Sequence, residues 1–299
     1  MGNARPATPQ TILVQANGLN FAVDQCGKGQ NLALFLHGFP ESKYSWRDQL
    51  PLLAELGYTA WAPDLRGYGA IDCPQVMADY AMPHLIDDVT GLIDAARAAG
   101  ITGEVTLIAH DWGGAIAWFY VLAPKRPIAA FIVMNLPHPK KLAEGLKTFR
   151  QLRKSWYVFF FQIPCLPEFI LGRRDARKIG GLFRDMAIDK SRFPDSVLKI
   201  YRESAQKPGR LTAMLNYYRA RIRFPTKIPT GILKIPTLMI WGEADTALGK
   251  ELTIGTENLV ADFTLRTLPN VSHWVQQEAP ERVNELIRDW LRKPKQRSS

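Results

Sequence analysis

The run Val-Thr-Leu-Ile-Ala-His-Asp-Trp-Gly-Gly-Ala-Ile-Ala, residues 105–117, reads as an apolar strand, a sharp turn and an Ala-rich helix, with Asp111 at the apex. Small residues at 109, 113 and 114 permit so tight a strand-to-helix turn, which lifts the carboxylate out of the sheet. A carboxylate there is a nucleophile that is already ionised at neutral pH. An aspartate in the same place can equally cap the helix. Two further groups would complete a nucleophile, acid and base in chain order. Asp245 lies in Trp-Gly-Glu-Ala-Asp-Thr-Ala-Leu-Gly (241–249), 134 residues after Asp111, and His273 in Leu-Pro-Asn-Val-Ser-His-Trp (268–274), 28 residues after Asp245. Each follows a strand-like run, as does His37-Gly38-Phe39-Pro40, and open α/β sheets bind their ligands at strand carboxyl ends.

The elements that must position these groups are eight β-rich runs: 11–15, 19–25, 32–37, 59–63, 104–109, 128–134, 237–241 and 263–267. Helical stretches separate most of them, which predicts a mostly parallel central sheet flanked by helices. The first two runs meet at Asn17-Gly18 and read as a hairpin. Leu-Ala-Leu-Phe-Leu (32–36) and Val-Thr-Leu-Ile-Ala (105–109) are apolar almost throughout, as strands covered on both faces are, so they should lie centrally. Between Pro137 and Pro236 the strand signal disappears. Spacings such as Phe149/Leu152/Trp156 and Leu211/Leu215 predict short helices broken by Pro and Gly. The expected organisation is a core domain of residues 1–136 and 230–299 with a helical lid domain, 137–229, inserted over the sheet.

The composition is that of an ordinary globular protein, 46% hydrophobic and 22% charged over 299 residues, which excludes a disordered or fibrous chain. Cys26, Cys73 and Cys165 are scattered and odd in number, so neither a disulfide framework nor a metal knuckle is expected, and a reducing, cytoplasmic setting is. The opening residues lack the apolar core of a secretory signal, and the longest apolar stretch, 157–171, is broken by Gln162, two prolines and Glu168. The net charge of +10 is concentrated. Residues 138–229 hold 21 Lys and Arg against 7 Asp and Glu. Such a segment is either a solvated helical surface or a face for an anionic membrane or acidic ligand; no nucleic-acid motif accompanies it, and nucleic acid is not expected as a partner.

Together HGFP, AHDWGG, WGEADTALG and the closing SHW resemble the epoxide hydrolases of the α/β-hydrolase fold, over about residues 11–292. The resemblance implies that Asp111 is the nucleophile, Asp245 the acid that orients His273, and His273 the base. It places the oxyanion hole at the backbone amides of Phe39 and Trp112. Two lid tyrosines match at Tyr157 and Tyr218, with Tyr217 the alternative to the latter, and Trp112, Phe39, Tyr157, Tyr218 and Trp274 would surround the substrate. His84 and His138 match no catalytic position, and His110 only flanks the nucleophile. Ala70 and Ile71 depart from the polar pair common in relatives, which bears on pocket lining and not on the chemistry.

These residue types suit an epoxide. Displacing oxygen from a saturated carbon requires a nucleophile such as an ionised carboxylate, the resulting ester requires an activated water, and the departing oxygen requires a proton that a phenol of pKa about 10 still carries at neutral pH. No metal or organic cofactor enters this chemistry, and the expected partners are a small lipophilic epoxide and water. A haloalkane dehalogenase would use a similar triad but hold the halide with NH donors, for which Trp112 and Trp156 are the available indoles. A fluoroacetate dehalogenase would carry Arg at 112. A ligand-binding relative without turnover is the remaining alternative, against which the intact Asp111, Asp245 and His273 argue.

Overall fold

The computed structural model describes residues 8–69 and 72–293, so Ala70 and Ile71, where the sequence departs from relatives, lie outside the described residues. All eight expected strands are present, with ends shifted by at most two residues: β1 (Gln10–Ala16), β2 (Leu19–Cys26), β3 (Asn31–Leu36), β4 (Tyr58–Pro63), β5 (Val105–His110), β6 (Ala130–Met134), β7 (Thr237–Gly242) and β8 (Phe263–Leu268). They form one sheet in the order β1-β2-β4-β3-β5-β6-β7-β8. The hairpin partners β1 and β2 pair antiparallel, as do β2 and β4, and every pair from β4 to β8 is parallel. The two most apolar runs, β3 and β5, are neighbours at the middle of the sheet.

Because side chains alternate across a strand, successive residues feed two cores. Leu34, Leu36, Leu107 and Val133 face one side, together with helices α2 (Met82–Ala98) and α3 (Asp111–Leu122); Phe35, Ile108, Ile132 and Ile240 face the other, with α1 (Leu50–Glu55), α10 (Val275–Glu278) and α11 (Pro280–Arg292). Strand β5 is buried along its whole length. Its carboxyl end is therefore a firmly held place to mount a reactive group.

Between β6 and β7 lie the helices α4 (Pro139–Gly145), α5 (Phe149–Lys154), α6 (Trp156–Phe160), α7 (Leu166–Met186), α8 (Asp195–Gln206) and α9 (Arg210–Arg223), with one short 3-10 turn and a single bridge from Leu233 to Val260. Their contacts to the sheet domain fall at the carboxyl ends of the parallel strands. Gln151 bonds Ala247 and Gly249, Lys154 Nζ donates to the Asp245 carbonyl, and Tyr217 donates to the Arg66 carbonyl. The spacing Phe149/Leu152/Trp156 does mark helices, but those side chains point to solvent, whereas Leu211 and Leu215 on α9 are buried. Helix α7 is interrupted at Arg174–Ala176, where three successive residues hold left-handed backbone angles.

Candidate active site

Asp111 sits between β5 and α3 with φ of 47°, a left-handed conformation that a residue with a Cβ adopts only when its surroundings impose it. The sequence around it makes room. A Cβ on Gly38 would overlap the Asp111 side chain, and one on Gly113 would overlap the Leu36 carbonyl, so both close approaches require glycine. The Phe39 amide donates to Asp111 Oδ1 at 2.7 Å, and Oδ2 lies 3.5 Å from His273 Nε2. The two carboxylate oxygens are thus distinguished: one is held by a backbone donor and the other is turned to the imidazole. Trp112, whose amide begins the first turn of α3, is the neighbouring donor of that helix N-terminus.

His273, after β8, points its Nδ1 at Asp245 Oδ2, 2.7 Å away. Asp245, after β7, accepts further bonds at Oδ1 from the amides of Ala247 (2.7 Å) and Leu248 (2.9 Å). Burial opposes the charged imidazolium, but the Asp245 charge and the hydrogen bonds to both carboxylates outweigh it and push His273 up to about 10. Burial likewise opposes both carboxylates, yet His273 holds Asp111 and Asp245 below the usual carboxylate value. Both aspartates are therefore ionised at neutral pH, which a displacing nucleophile and an orienting acid both require.

Above this triad lies an aromatic wall. Tyr218, 6% exposed, packs edge-on against Trp112, Phe39, Phe161 and Tyr157, with centroids 5.0, 5.3, 5.0 and 6.0 Å away. Burial, and next the Asp111 charge, raise the phenols of Tyr157 and Tyr218 above their ordinary value, so both carry their protons across the neutral range. Tyr217 is separated from its neighbour. Its hydroxyl donates to the Arg66 carbonyl at 2.7 Å, which ties α9 to the loop after β4. Tyr217 also packs on Trp112, with centroids 5.5 Å apart, but its hydroxyl is engaged by the loop after β4, whereas Tyr157 and Tyr218 pack on each other. Arg219 links the elements that carry them, donating to the Phe161 and Ile163 carbonyls and forming a two-pronged bond to Glu168.

The remaining residues singled out in the sequence take separate positions. Trp274 is 2% exposed and packs against His273, His110 and Phe183, and its contacts are with protein on these sides. Trp156 is 63% exposed and leans on Phe160, away from the carboxylate. His138 caps α4 by accepting from the Lys140 amide, and His84 is exposed.

Two groups escaped the sequence reading. Asn135, directly after β6 with φ of 41°, donates to Asp245 Oδ2 at 2.7 Å and accepts from the Gly242 amide at 2.8 Å. An asparagine at a strand's carboxyl end, one strand over from the nucleophile, was the available signal. Glu41, fully buried, accepts from the Gly38 amide and from the side chains of Gln276 and Gln277, and it lies 2.8 Å from His110 Nδ1. His110 Nε2 in turn lies 2.9 Å from the His273 carbonyl. His110 thus bridges the loop that carries Phe39 and the loop that carries His273, beneath the nucleophile.

Residues 33–286 match the alpha/beta hydrolase family. The chain is 37% identical over 290 residues to Epoxide hydrolase 3 of Xenopus tropicalis, covering 94% of this chain and 77% of that protein. It is 36% identical over 288 residues to the AB hydrolase superfamily protein YfhM of Bacillus subtilis (strain 168), covering 93% and 96%. Among solved structures, an epoxide hydrolase from Bacillus megaterium, complexed with its naphthyloxy-propane-1,2-diol product, superposes with a TM-score of 0.85 at 28% identity over 94% of this chain and all of that one. The chain is therefore a member of the alpha/beta hydrolase family and belongs with its epoxide hydrolases.

Proposed function

We propose that the protein hydrolyses epoxides to vicinal diols through a covalent ester on Asp111. The observation that carries this reading is a carboxylate held by a backbone donor and faced by an imidazole, beneath an aromatic wall that includes two protonated phenols. Asp111 Oδ2, the oxygen not held by Phe39, attacks one epoxide carbon. The carbon–oxygen bond breaks, and the departing oxygen takes a proton from Tyr157 or Tyr218, since an alkoxide is far more basic than a phenolate. Esterification removes the Asp111 charge, and with it part of what holds the His273 proton, which passes through solvent to the phenolate left by ring opening. Neutral His273, steered by Asp245, then takes a proton from water, whose oxygen attacks the ester carbon while the Phe39 and Trp112 amides stabilise the oxyanion. Collapse breaks the bond between the former ester carbonyl carbon and the substrate oxygen, that oxygen takes the proton His273 drew from water, and the diol leaves with the carboxylate restored. No step calls for a metal or an organic cofactor.

In this reading residues 137–229 act as a lid over the core formed by 1–136 and 230–299. Phe39, Trp112, Tyr157 and Tyr218 surround a small lipophilic epoxide, and Trp274 supports His273 from behind. The setting is cytoplasmic, with the basic lid directed at an anionic membrane. No described helix is long and apolar enough to cross one. Against a dehalogenase stands Trp156, the second indole such a site would use, which faces solvent. A panel of terminal, styrene-type and halogenated substrates tests the proposal: diol without halide release is expected, and halide release without diol would overturn it.

A further inference from the structure

The short helices α5, α6 and the start of α7 expose apolar side chains that a lid facing only water has no reason to present. Phe149 is 81% exposed, Trp156 63%, Phe159 57% and Phe169 60%, with Leu152, Ile163 and Leu166 exposed beside them. In each helix the exposed pair is spaced i, i+3, as in Phe149/Leu152, Trp156/Phe159 and Leu166/Phe169, which puts both members on one side of the helix. Single exposed apolar residues are normal, but a run of seven within 21 residues marks an interaction surface.

The charge around this run narrows the partner. Residues 140–178 carry 10 Lys and Arg against 3 Asp and Glu. Among the described residues, Arg153, Arg174, Arg177 and Lys178 are exposed and have no acidic or hydrogen-bonding partner. Two copies of such a face would repel each other. A surface that is negatively charged outside and apolar beneath matches both features: cations at headgroup level with aromatic rings inserted just below them.

The same helices border a groove. A groove of about 1830 Å³ between α6, α7 and α8 is lined by Trp156, Tyr157 and Phe160 and by seven Lys and Arg, among them Arg174, Arg177 and Lys178, against four Asp and Glu. Tyr157 belongs to both this groove and the aromatic wall over Asp111.

We propose that the outer face of α5, α6 and the start of α7 docks on an anionic lipid bilayer, so that the groove opens onto the membrane and receives lipophilic substrate from it. The delivery role rests on the epoxide hydrolase reading; the docking does not. Full-length protein is sedimented with phosphatidylcholine vesicles, with and without phosphatidylserine, at low and physiological salt. Binding to the anionic vesicles alone, weaker at higher salt, is expected, with a blue shift of fluorescence that Trp156→Phe removes. Lys147→Glu with Arg153→Glu should weaken partitioning at least about fivefold per cation. Phe149→Ser with Phe159→Ser and Phe169→Ser should abolish it and leave hydrolysis of a water-soluble epoxide unchanged. Equal absence of binding to both vesicles overturns the proposal, as does a self-association that protects these residues instead. Vesicle binding without hydrolysis of any epoxide would instead overturn the functional reading and leave the docking intact.

Discussion

Asn135 Nδ2 and His273 Nδ1 converge on one oxygen, Asp245 Oδ2, each at 2.7 Å, while the other oxygen of that carboxylate is filled by two backbone amides. The Asp245 carboxylate therefore has no freedom to rotate away from the imidazole. Asn135→Ala removes one of its bonds and leaves the Gly242 amide without its acceptor. We expect a stability loss of about 1–3 kcal/mol in denaturant unfolding. Ester hydrolysis should slow about tenfold, with ring opening nearly unaffected, because only hydrolysis uses His273 as a base. Equal slowing of both steps would mean that Asn135 supports the site only in bulk.

The adjacent tyrosines of α9 should separate cleanly. Tyr218→Phe removes a proton donor beside Asp111 and should slow ring opening about a hundredfold with little change in stability. Tyr217→Phe removes the bond to the Arg66 carbonyl and should cost about 1 kcal/mol of stability while ring opening stays within severalfold of the parent. Stopped-flow alkylation rates paired with unfolding curves decide this. The reverse pattern would reassign the second lid phenol to Tyr217.

Single turnover in heavy-oxygen water should yield diol without label and leave the label on Asp111, because water attacks the ester carbon and not the epoxide. Mass spectrometry of the first-turnover diol and of the peptide containing Asp111 reads both products. Solvent oxygen in that diol would end the covalent mechanism.

The two steps should differ in their response to pH. Ring opening needs ionised Asp111, held below the usual carboxylate value, and protonated phenols, held above theirs. Its rate should be level between about pH 4 and 10. Hydrolysis needs neutral His273, whose value of about 10 in the free protein depends partly on the Asp111 charge that the ester removes. The hydrolysis rate should rise with pH and reach its plateau below pH 10. His273→Gln should accumulate the ester, slowing hydrolysis at least about a hundredfold. For stability the sign follows from a raised folded value. The imidazolium contribution is complete below about pH 6.5 and fades as pH rises through about 10, so the stability gap between parent and variant should close over that window.

The sequence by itself determined the sheet and the candidate groups of the site. Apolar runs of strand length, such as 32–36 and 105–109, can be satisfied only by burial on both faces, and this fixed their central position. The Gly-rich elbow and the chain order Asp111, Asp245, His273 were legible because backbone close approach and residue type are local properties. What only the tertiary structure decided depends on direction. Tyr217 and Tyr218 are adjacent residues of equal type, and which hydroxyl bonds the Arg66 carbonyl and which ring packs on Phe39 and Tyr157 follows from how α9 rotates against the loop after β4, a consequence of packing that no spacing encodes. Phe149, Leu152 and Trp156 carry a helical apolar spacing that ordinarily signals a buried face, and only the placement of α5 and α6 turned them to solvent. Asn135 and Glu41 are far in sequence from the residues they hold, and hydrogen bonds across 110 and 69 positions form only once the parallel strands bring their carboxyl ends together.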